Sequence, residues 1–503
     1  MPGPDLAQAS RTASSSAHVP PDRVNVLLVG GGGREHALAM KLAASPRLGT
    51  LWTTHPENPG IAAVAQPVDV PVHIREIYRL QQFCDRNRVG LVVIGPEEPL
   101  AEGFADKLAL DGVLPSGEPA PLGQGRRLVF GPTAEAARLE SDKAWAKQLM
   151  RSASIPTAEA RTFTDPENAK NFLRTRDTPH VIKASGLAKG KGVVVPDTVA
   201  QALAAIDEIM IKRVFGEAGR TVVIEERLSG PELSVLAITD GQSLLVLPPC
   251  QDHKRLLDND EGPNTGGMGA FCPSPLATPA LMEQVEREIL VPTIDALKRE
   301  EIDFVGVLYA GLMLTPGGPK VLEFNTRFGD PECQPITQML KTDLLEILLA
   351  ACERRLGDLD VELQSGAACC VVLASGGYPE KPRTGNVIRG LPEANAVSGV
   401  TVFHAGTAAQ GRDVVNTGGR VLGVTAIGAD LLEARARAYE AAGKISFDGM
   451  QLRRDIGADL ADHSDPAKAK RPKKLRGPRA VVWNPELEDD AGHRGGRGYS
   501  TRR

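Results

Sequence analysis

Lys183 closes the apolar run His180-Val-Ile-Lys183 just before Ala-Ser-Gly, a position from which a side chain can point into a cleft. A lone lysine is ordinarily a solvated surface charge. Here Lys189 and Lys191 follow in the glycine-bearing turn Ala184–Gly192, and Lys143 precedes in a stretch, Thr133 to Met150, that reads as a helix. Phosphoryl transfer from a triphosphate needs positive charge on the group transferred and donors along the phosphate chain. Lysines and exposed loop amides supply both.

Further along, Leu322-Glu323-Phe324-Asn325 sets two oxygen donors, Glu323 and Asn325, at i and i+2 on one face of a strand. Carboxylate and amide oxygens suit Mg²⁺, which keeps several waters and bridges phosphates. Glu-x-Asn alone is a weak signal, but Arg327-Phe-Gly-Asp-Pro-Glu332 follows it, and the longer string is specific. Arg327 suits a bidentate grip on a carboxylate or phosphate. Glu225, Glu226 and Glu232 cluster near a strand end, and taken alone they describe a solvated face.

Gly30–Gly33 follow the strand-like run Val24-Asn-Val-Leu-Leu-Val29 and open a helix from Arg34 to Ala44, the order of a dinucleotide-binding turn. That fingerprint wants a glycine three places beyond its second, where Glu35 stands, so nicotinamide chemistry is set aside. Backbone N–H groups at the helix start still suit a substrate phosphate. His36 reads as structural.

The elements that must position these residues number too many for one core, and 503 residues predict three or four domains. Composition is that of a globular protein, 42% hydrophobic and 24% charged, and 52 Gly with 38 Pro suit many short connections. Aromatics at 4% offer no stacking platform for nucleic acid, and no apolar run is long enough to span a bilayer. Seven scattered cysteines without metal-ligand spacing read as reduced thiols, placing the chain in the cytoplasm. Residues 461–503 carry eleven Lys/Arg against six Asp/Glu, a net +5 on a chain of −5, and read as a solvated basic tail rather than a nucleic-acid site.

Strand, glycine turn and helix, then Leu91-Val-Val-Ile94 ending at Gly95-Pro96-Glu97, predict a doubly wound parallel sheet in residues 24–140, after an unstructured 1–23. Pro115 to Arg127 reads as a surface loop. His180–Lys183 and Val193–Val195 flank the lysine-bearing turn as a hairpin able to close over a ligand. It belongs to a lid, about residues 155–230, within a central unit of residues 141–365. Strands are expected at Thr221–Ile224, Leu233–Ile238, Leu244–Leu247, Gly306–Leu314 and Val321–Phe324. A helix near Leu340–Glu353 leads to a small α/β domain, residues 366–460, with strands at Ala367–Ala374, Thr401–His404 and Arg420–Ile427 and a helix Leu431–Ile445.

With these residues in hand, the chain resembles the phosphoribosylamine–glycine ligase (glycinamide ribonucleotide synthetase) family of ATP-grasp enzymes, from about Val24 to Gly457. The matching strings include Gly30–Ala37, Asn58-Pro-Gly60, Gly95-Pro-Glu97, Gly190-Lys-Gly192, Gln251-Asp-His-Lys-Arg255, Gly262–Gly269 and Asn325–Glu332, with Phe403–Thr407 and Gly418-Gly-Arg420 near the end. The resemblance implies an ATP-grasp fold in the central unit and ligation of glycine to phosphoribosylamine through glycyl phosphate, with ATP and Mg²⁺ or Mn²⁺. It makes Lys143, Lys183 and Arg327 the catalytic cations. Lys143, Lys183, Gly190, Lys191, Gly192, Glu225, Glu226, Leu228 and Glu232 become the ATP site, Glu226–Leu228 offering backbone to adenine and Glu232 accepting ribose hydroxyls. Glu323 and Asn325 become metal ligands. Gly32, Gly33, Asn58, Gly60, Gly95, Glu97, Asp252, Gly267, Met268, Arg327, Asp330 and Glu332 become the substrate side. The chain departs from the family at Ser185, where Asp is usual, at Lys189, where a small residue is usual, and at Pro231, where an acid is common. No further catalytic domain is expected after residue 460, and the expected state is a monomer or weak dimer. Another ATP-grasp ligase is the nearer rival; a non-catalytic nucleotide-binding protein using the basic tail is the more distant one.

Overall fold

The computed structural model describes residues 23–188, 190–458 and 480–482. Its first layer is a six-stranded sheet in which Gln66–Pro67, Leu48–Thr53, Val24–Val29, Val89–Ile94 and Arg126–Phe130 run parallel, with Leu110–Asp111 antiparallel at the edge. Val24–Val29 and Val89–Ile94 are buried along their whole length, as strands covered on both faces must be. Arg126–Phe130 emerges from the end of the expected Pro115–Arg127 loop and takes an inner place, its β character masked by the two arginines that begin it.

A second sheet, all antiparallel, orders Ala160–Phe163, Val222–Glu226, His180–Ala184 and Val193–Val194. A third joins Gly318–Asn325, Gly306–Thr315, Glu232–Thr239 and Ser243–Val246. Ala480–Val482 pairs with Ser243–Leu245 as its outermost strand, which corrects the reading of residues 461–503 as wholly unstructured; the rest of that tail, like nearly all of the 1–23 extension, lies outside the described residues. A fourth sheet carries Ala367–Ala374, Arg420–Gly428 and Val400–His404, but takes its other two strands, Gln251–Asp252 and Gly269–Cys272, from the central region. The sheet of the last region thus grows on chain that leaves the cleft. Among the described residues no helix is long and apolar enough to cross a membrane.

The first and last regions are locked by a buried amide. Asn58 Nδ2 donates to the carbonyls of Gly31 at 2.8 Å and His404 at 2.9 Å, while its Oδ1 accepts from the N–H groups of Gly60 and Ile61. His36 stands beside it, accepting at Nδ1 from the His404 N–H at 2.8 Å. Burial, with the nearby His404, pulls the His36 imidazole down to about 3, so it stays neutral and structural. Gly60 is required here because a Cβ would lie 2.0 Å from the His36 ring. Asn58→Ala should lower stability by about 1–3 kcal/mol, since two buried carbonyls lose their donor. A shifted urea midpoint with unchanged KM values is the expected result; a KM effect without loss of stability would place Asn58 on a substrate.

Candidate active site

One cleft of about 660 Å³ lies between the second and third sheets and the loops that join them. Lys143, Lys183, Glu232, Glu323 and Asn325, spread over the chain, all line it. Each gets there for a local reason. The expected helix from Thr133 to Met150 is broken: Arg138–Ser141 ends at Asp142, and a new helix, Lys143–Ser152, begins there. Asp142 is its N-cap, accepting from the Trp145 N–H at 3.2 Å, because an aspartate offers the first turn an oxygen that a helical continuation would waste. Asp142 also accepts from Ser185 Oγ at 2.9 Å, and the Lys143 N–H donates to the Ser185 carbonyl. Ser185 thus ties the start of the lysine-bearing turn to the helix that carries Lys143.

Lys143 and Lys147 are i and i+4 on that helix and face the cleft together. In the lid sheet, Val222 and Ile224 fill the core, so Glu225 points to the opposite face, the one on which Lys183 lies. Glu225 sits between two ammonium groups, 3.2 Å from Lys147 Nζ and 3.0 Å from Lys183 Nζ. Lys183 also donates to the Leu322 carbonyl at 2.8 Å. That carbonyl is available because the ladder slips there: Gly311 pairs with Glu323 and Leu312 with Val321, leaving Leu322 as a bulge. The bulge changes the phase of the strand, so Val321 and Phe324 both enter the core while Glu323 and Asn325 line the cleft.

Burial opposes charge on Glu323, yet Lys254, Lys183 and Lys143 around it hold its carboxyl below the usual range. Among the described residues the Glu323 carboxylate makes no hydrogen bond or ion pair of its own; Asn325 Oδ1 accepts from Arg327 Nη2 at 3.1 Å. An ionised, directly unpartnered carboxylate beside an amide oxygen is a donor set that fits a hard divalent cation sharing phosphate oxygens.

Arg327 lines the same cleft. Its guanidinium lies 2.9 Å from Glu140 and 3.4 Å from Glu97. Nη2 also donates to Asn325 Oδ1 at 3.1 Å, while the buried Nε has no hydrogen-bond partner among the described residues. Arg327 therefore positions Glu97, Glu140 and Asn325.

Gly190, Gly192, Glu226, Leu228, Glu97, Asp252, Asp330 and Glu332 also line the cleft. Glu226 turns its carboxylate to Lys320 at 2.9 Å and to the Glu159 N–H at 3.1 Å. Glu232 pairs with Lys254 at 2.8 Å. The other expected residues are elsewhere. Lys191 is exposed off the cleft wall, and Lys189 lies outside the described residues. Met268 is fully buried, bonded through its backbone to His253 and Val372. Gly267, at φ +112°, packs on Pro331, where a Cβ would come within 2.5 Å. Gly60 and Asn58 belong to the interdomain lock, and Gly95 backs onto the Glu35 carboxylate. Gly32 and Gly33 abut Asp330, but the Gly32 N–H is taken by Glu35 Oε2 at 2.6 Å, so this amide at the helix start is already answered by the chain's own carboxylate.

Sequence reasoning missed Lys147, Glu140, Lys254 and Tyr309. Helical spacing from Lys143 could have found Lys147, and Lys254 lies inside a string that was recognised without a role. Glu140 and Tyr309 carry no local signal.

A lid sheet, a central sheet and a lysine-lined cleft between them define a protein of the ATP-grasp class. Residues 24–140 match the phosphoribosylglycinamide synthetase N domain, 141–333 its ATP-grasp (A) domain and 368–459 its C domain, and the chain belongs to that family. It is 47% identical over 441 residues to the phosphoribosylamine–glycine ligase of Rhodopirellula baltica, covering 86% of this chain and 97% of the relative. It is 46% identical to part of the human trifunctional purine biosynthetic protein adenosine-3, covering 86% of this chain and 41% of that longer one. The crystal structure of the Thermotoga maritima phosphoribosylamine–glycine ligase matches with a TM-score of 0.71 at 33% identity, over 86% of this chain and 100% of that one. Biotin carboxylase from Campylobacter jejuni shares the fold at 14% identity, with a TM-score of 0.64 over 90% of this chain and 98% of that one.

Burial outweighs Glu225, with Lys183 adding, and pulls the Lys147 ammonium down to about 8. A bound triphosphate favours the charged form, so ATP binding should take up protons near that pH and weaken as pH rises through it. Calorimetry in buffers of different ionisation heat reads the uptake. Lys147→Met should reduce it, and undiminished uptake would assign the titration to another group.

Proposed function

We propose that the chain joins glycine to 5-phosphoribosylamine, converting ATP to ADP and phosphate and giving glycinamide ribonucleotide, a step of purine synthesis. The observation that carries this reading is the convergence of Lys143, Lys183, Glu232, Glu323 and Asn325 on one cleft. The names of its close relatives supply the substrates.

A carboxylate is a poor acylating agent. Its attack on the γ-phosphate of ATP gives glycyl phosphate, which has phosphate as a leaving group, and the amine of phosphoribosylamine then displaces it. The first step needs no general base because the nucleophile is already ionised. Lys143 and Lys183 balance charge on the phosphoryl oxygens, and Glu225 holds Lys183 in place from behind. Burial lowers the Lys143 ammonium from its ordinary value, so it gains from a neighbouring phosphate what it lost in solvation. Glu323 and Asn325 would hold Mg²⁺ or Mn²⁺, which supplies further neutralisation of the phosphate chain. Glu232 accepts the ribose hydroxyls, releasing Lys254 toward the phosphates, while backbone at Glu226–Leu228 meets the adenine edge. Closure of the Ala184–Gly192 turn excludes water from the acyl phosphate.

ADP release should require both glycine and phosphoribosylamine. Release that ignores phosphoribosylamine and answers to bicarbonate would move the chain to another ATP-grasp activity. Glu323→Ala should abolish metal-dependent turnover, and full activity in that variant would remove Glu323 from the metal site. Glu232→Ala should weaken ATP binding by about 1–3 kcal/mol, through buried ribose hydroxyls that lose their acceptor; an effect on glycine KM alone would reassign it.

A further inference from the structure

Beside the phosphate-binding lysines, four side chains form a hydrogen-bonded line at the cleft wall. Asp252 Oδ1 lies 3.2 Å from Ser234 Oγ, Ser234 Oγ lies 2.8 Å from Tyr309 Oη, and Tyr309 Oη lies 2.5 Å from Glu332 Oε1. Ser234, Tyr309 and Glu332 are buried, 2%, 4% and 3% exposed, so water cannot freely replace these links. Ser234 and Tyr309 come from adjacent antiparallel strands, whose register turns both toward the same face.

Counting hydrogens constrains the line. Three links need three hydrogens, and the two hydroxyls supply only two. With every link made, the third must sit on a terminal carboxyl. The line then reads either Asp252-H to Ser234 to Tyr309 to ionised Glu332, or the reverse. A concerted shift of three hydrogens converts one form into the other, so either end can present a carboxylate while the line holds one proton.

We propose that Asp252, Ser234, Tyr309 and Glu332 act as one proton-holding unit, and that its Glu332 end takes the proton lost by the attacking amine during amide-bond formation. This rests on the ligase function proposed above. As the amine nitrogen bonds to the glycyl carbonyl carbon, the carbon–oxygen bond to phosphate breaks and its electron pair leaves with phosphate. The N–H proton passes to the Glu332 carboxylate and then departs on phosphate as HPO₄²⁻, which restores the unit.

The surroundings agree with a carboxyl poised to gain or lose a proton. Burial first, then Asp252, pushes Glu332 up from the ordinary carboxylate range, against the Tyr309 hydrogen bond and Arg327. Asp252 is raised by burial and by Glu232, against Lys254 and Ser234. Arg420 also faces Glu332, and burial with the two acids keeps the Tyr309 hydroxyl protonated. A base titrating near the working pH is the efficient kind, and such transfers contribute about 10²–10⁴-fold.

Single-turnover rapid quench on the full-length protein with ATP, Mg²⁺, glycine and phosphoribosylamine separates the two chemical steps. In Tyr309→Phe, ADP formation should stay within about threefold of wild type while amide formation falls about 10²-fold. In wild type the amide step should rise with pH through the neutral range. Loss of the Tyr309 donor, which favours ionised Glu332, should move that midpoint to higher pH. Ser234→Ala breaks the line at its middle and should give the same split between steps, which guards against a folding defect in the first variant. Equal loss of both steps, or an unmoved pH midpoint, overturns the proton-holding unit and leaves Tyr309 a packing residue. Wild-type protein that forms no ADP with glycine and phosphoribosylamine both present overturns the ligase function itself.

Discussion

The Lys183 ammonium holds the cleft together: it spans from the lid sheet to the central sheet, bound on one side by Glu225 and on the other by the carbonyl of the bulged Leu322. A buried cation needs a partner for its charge and acceptors for its protons, and both are provided by groups fixed in strands. The lid strand His180–Ala184 therefore cannot take an arbitrary distance from the strand bearing Glu323 and Asn325. The spacing of the cleft's charges follows from this one bridge.

Around the bridge, charge is arranged in mutually dependent pairs. Glu225 answers Lys147 and Lys183, Glu232 answers Lys254, and Glu97 with Glu140 answers Arg327. These pairs neutralise the cations and anions that they join. The acids that pair with Arg327 belong to the scaffold: Glu140 also takes the Thr326 N–H at 2.8 Å and so fixes the turn after the strand bearing Glu323 and Asn325.

Several glycines of the family strings admit close packing. Gly60 admits the His36 ring, Gly95 admits the Glu35 carboxylate, and Gly267 admits Pro331. Arg34 reaches across to the Phe328 carbonyl at 3.0 Å, so the first region's glycine turn is bolted to the Arg327–Glu332 loop. These strings look like ligand loops in a linear reading because the same property, backbone exposed without a side chain, serves close approach of another part of the protein equally well.

The linear chain determined the parts. Apolar runs of β type located Val24–Val29, Val89–Ile94 and Ala367–Ala374, since a strand buried on both faces writes its burial into consecutive residues. The family strings named the ATP-grasp architecture and the cations and acids that converge on the cleft. Tertiary structure decided how those parts meet. The break at Asp142 depends on Ser185 as second partner, the phase of Glu323 and Asn325 depends on a bulge opposite Gly311, and the occupation of Arg327 depends on Glu97 and Glu140. The line from Asp252 to Glu332 joins three strands and a loop. Periodicity along a chain reports which face of its own element a residue occupies; which neighbour it meets there is set by register between strands far apart in sequence, and no local pattern encodes that.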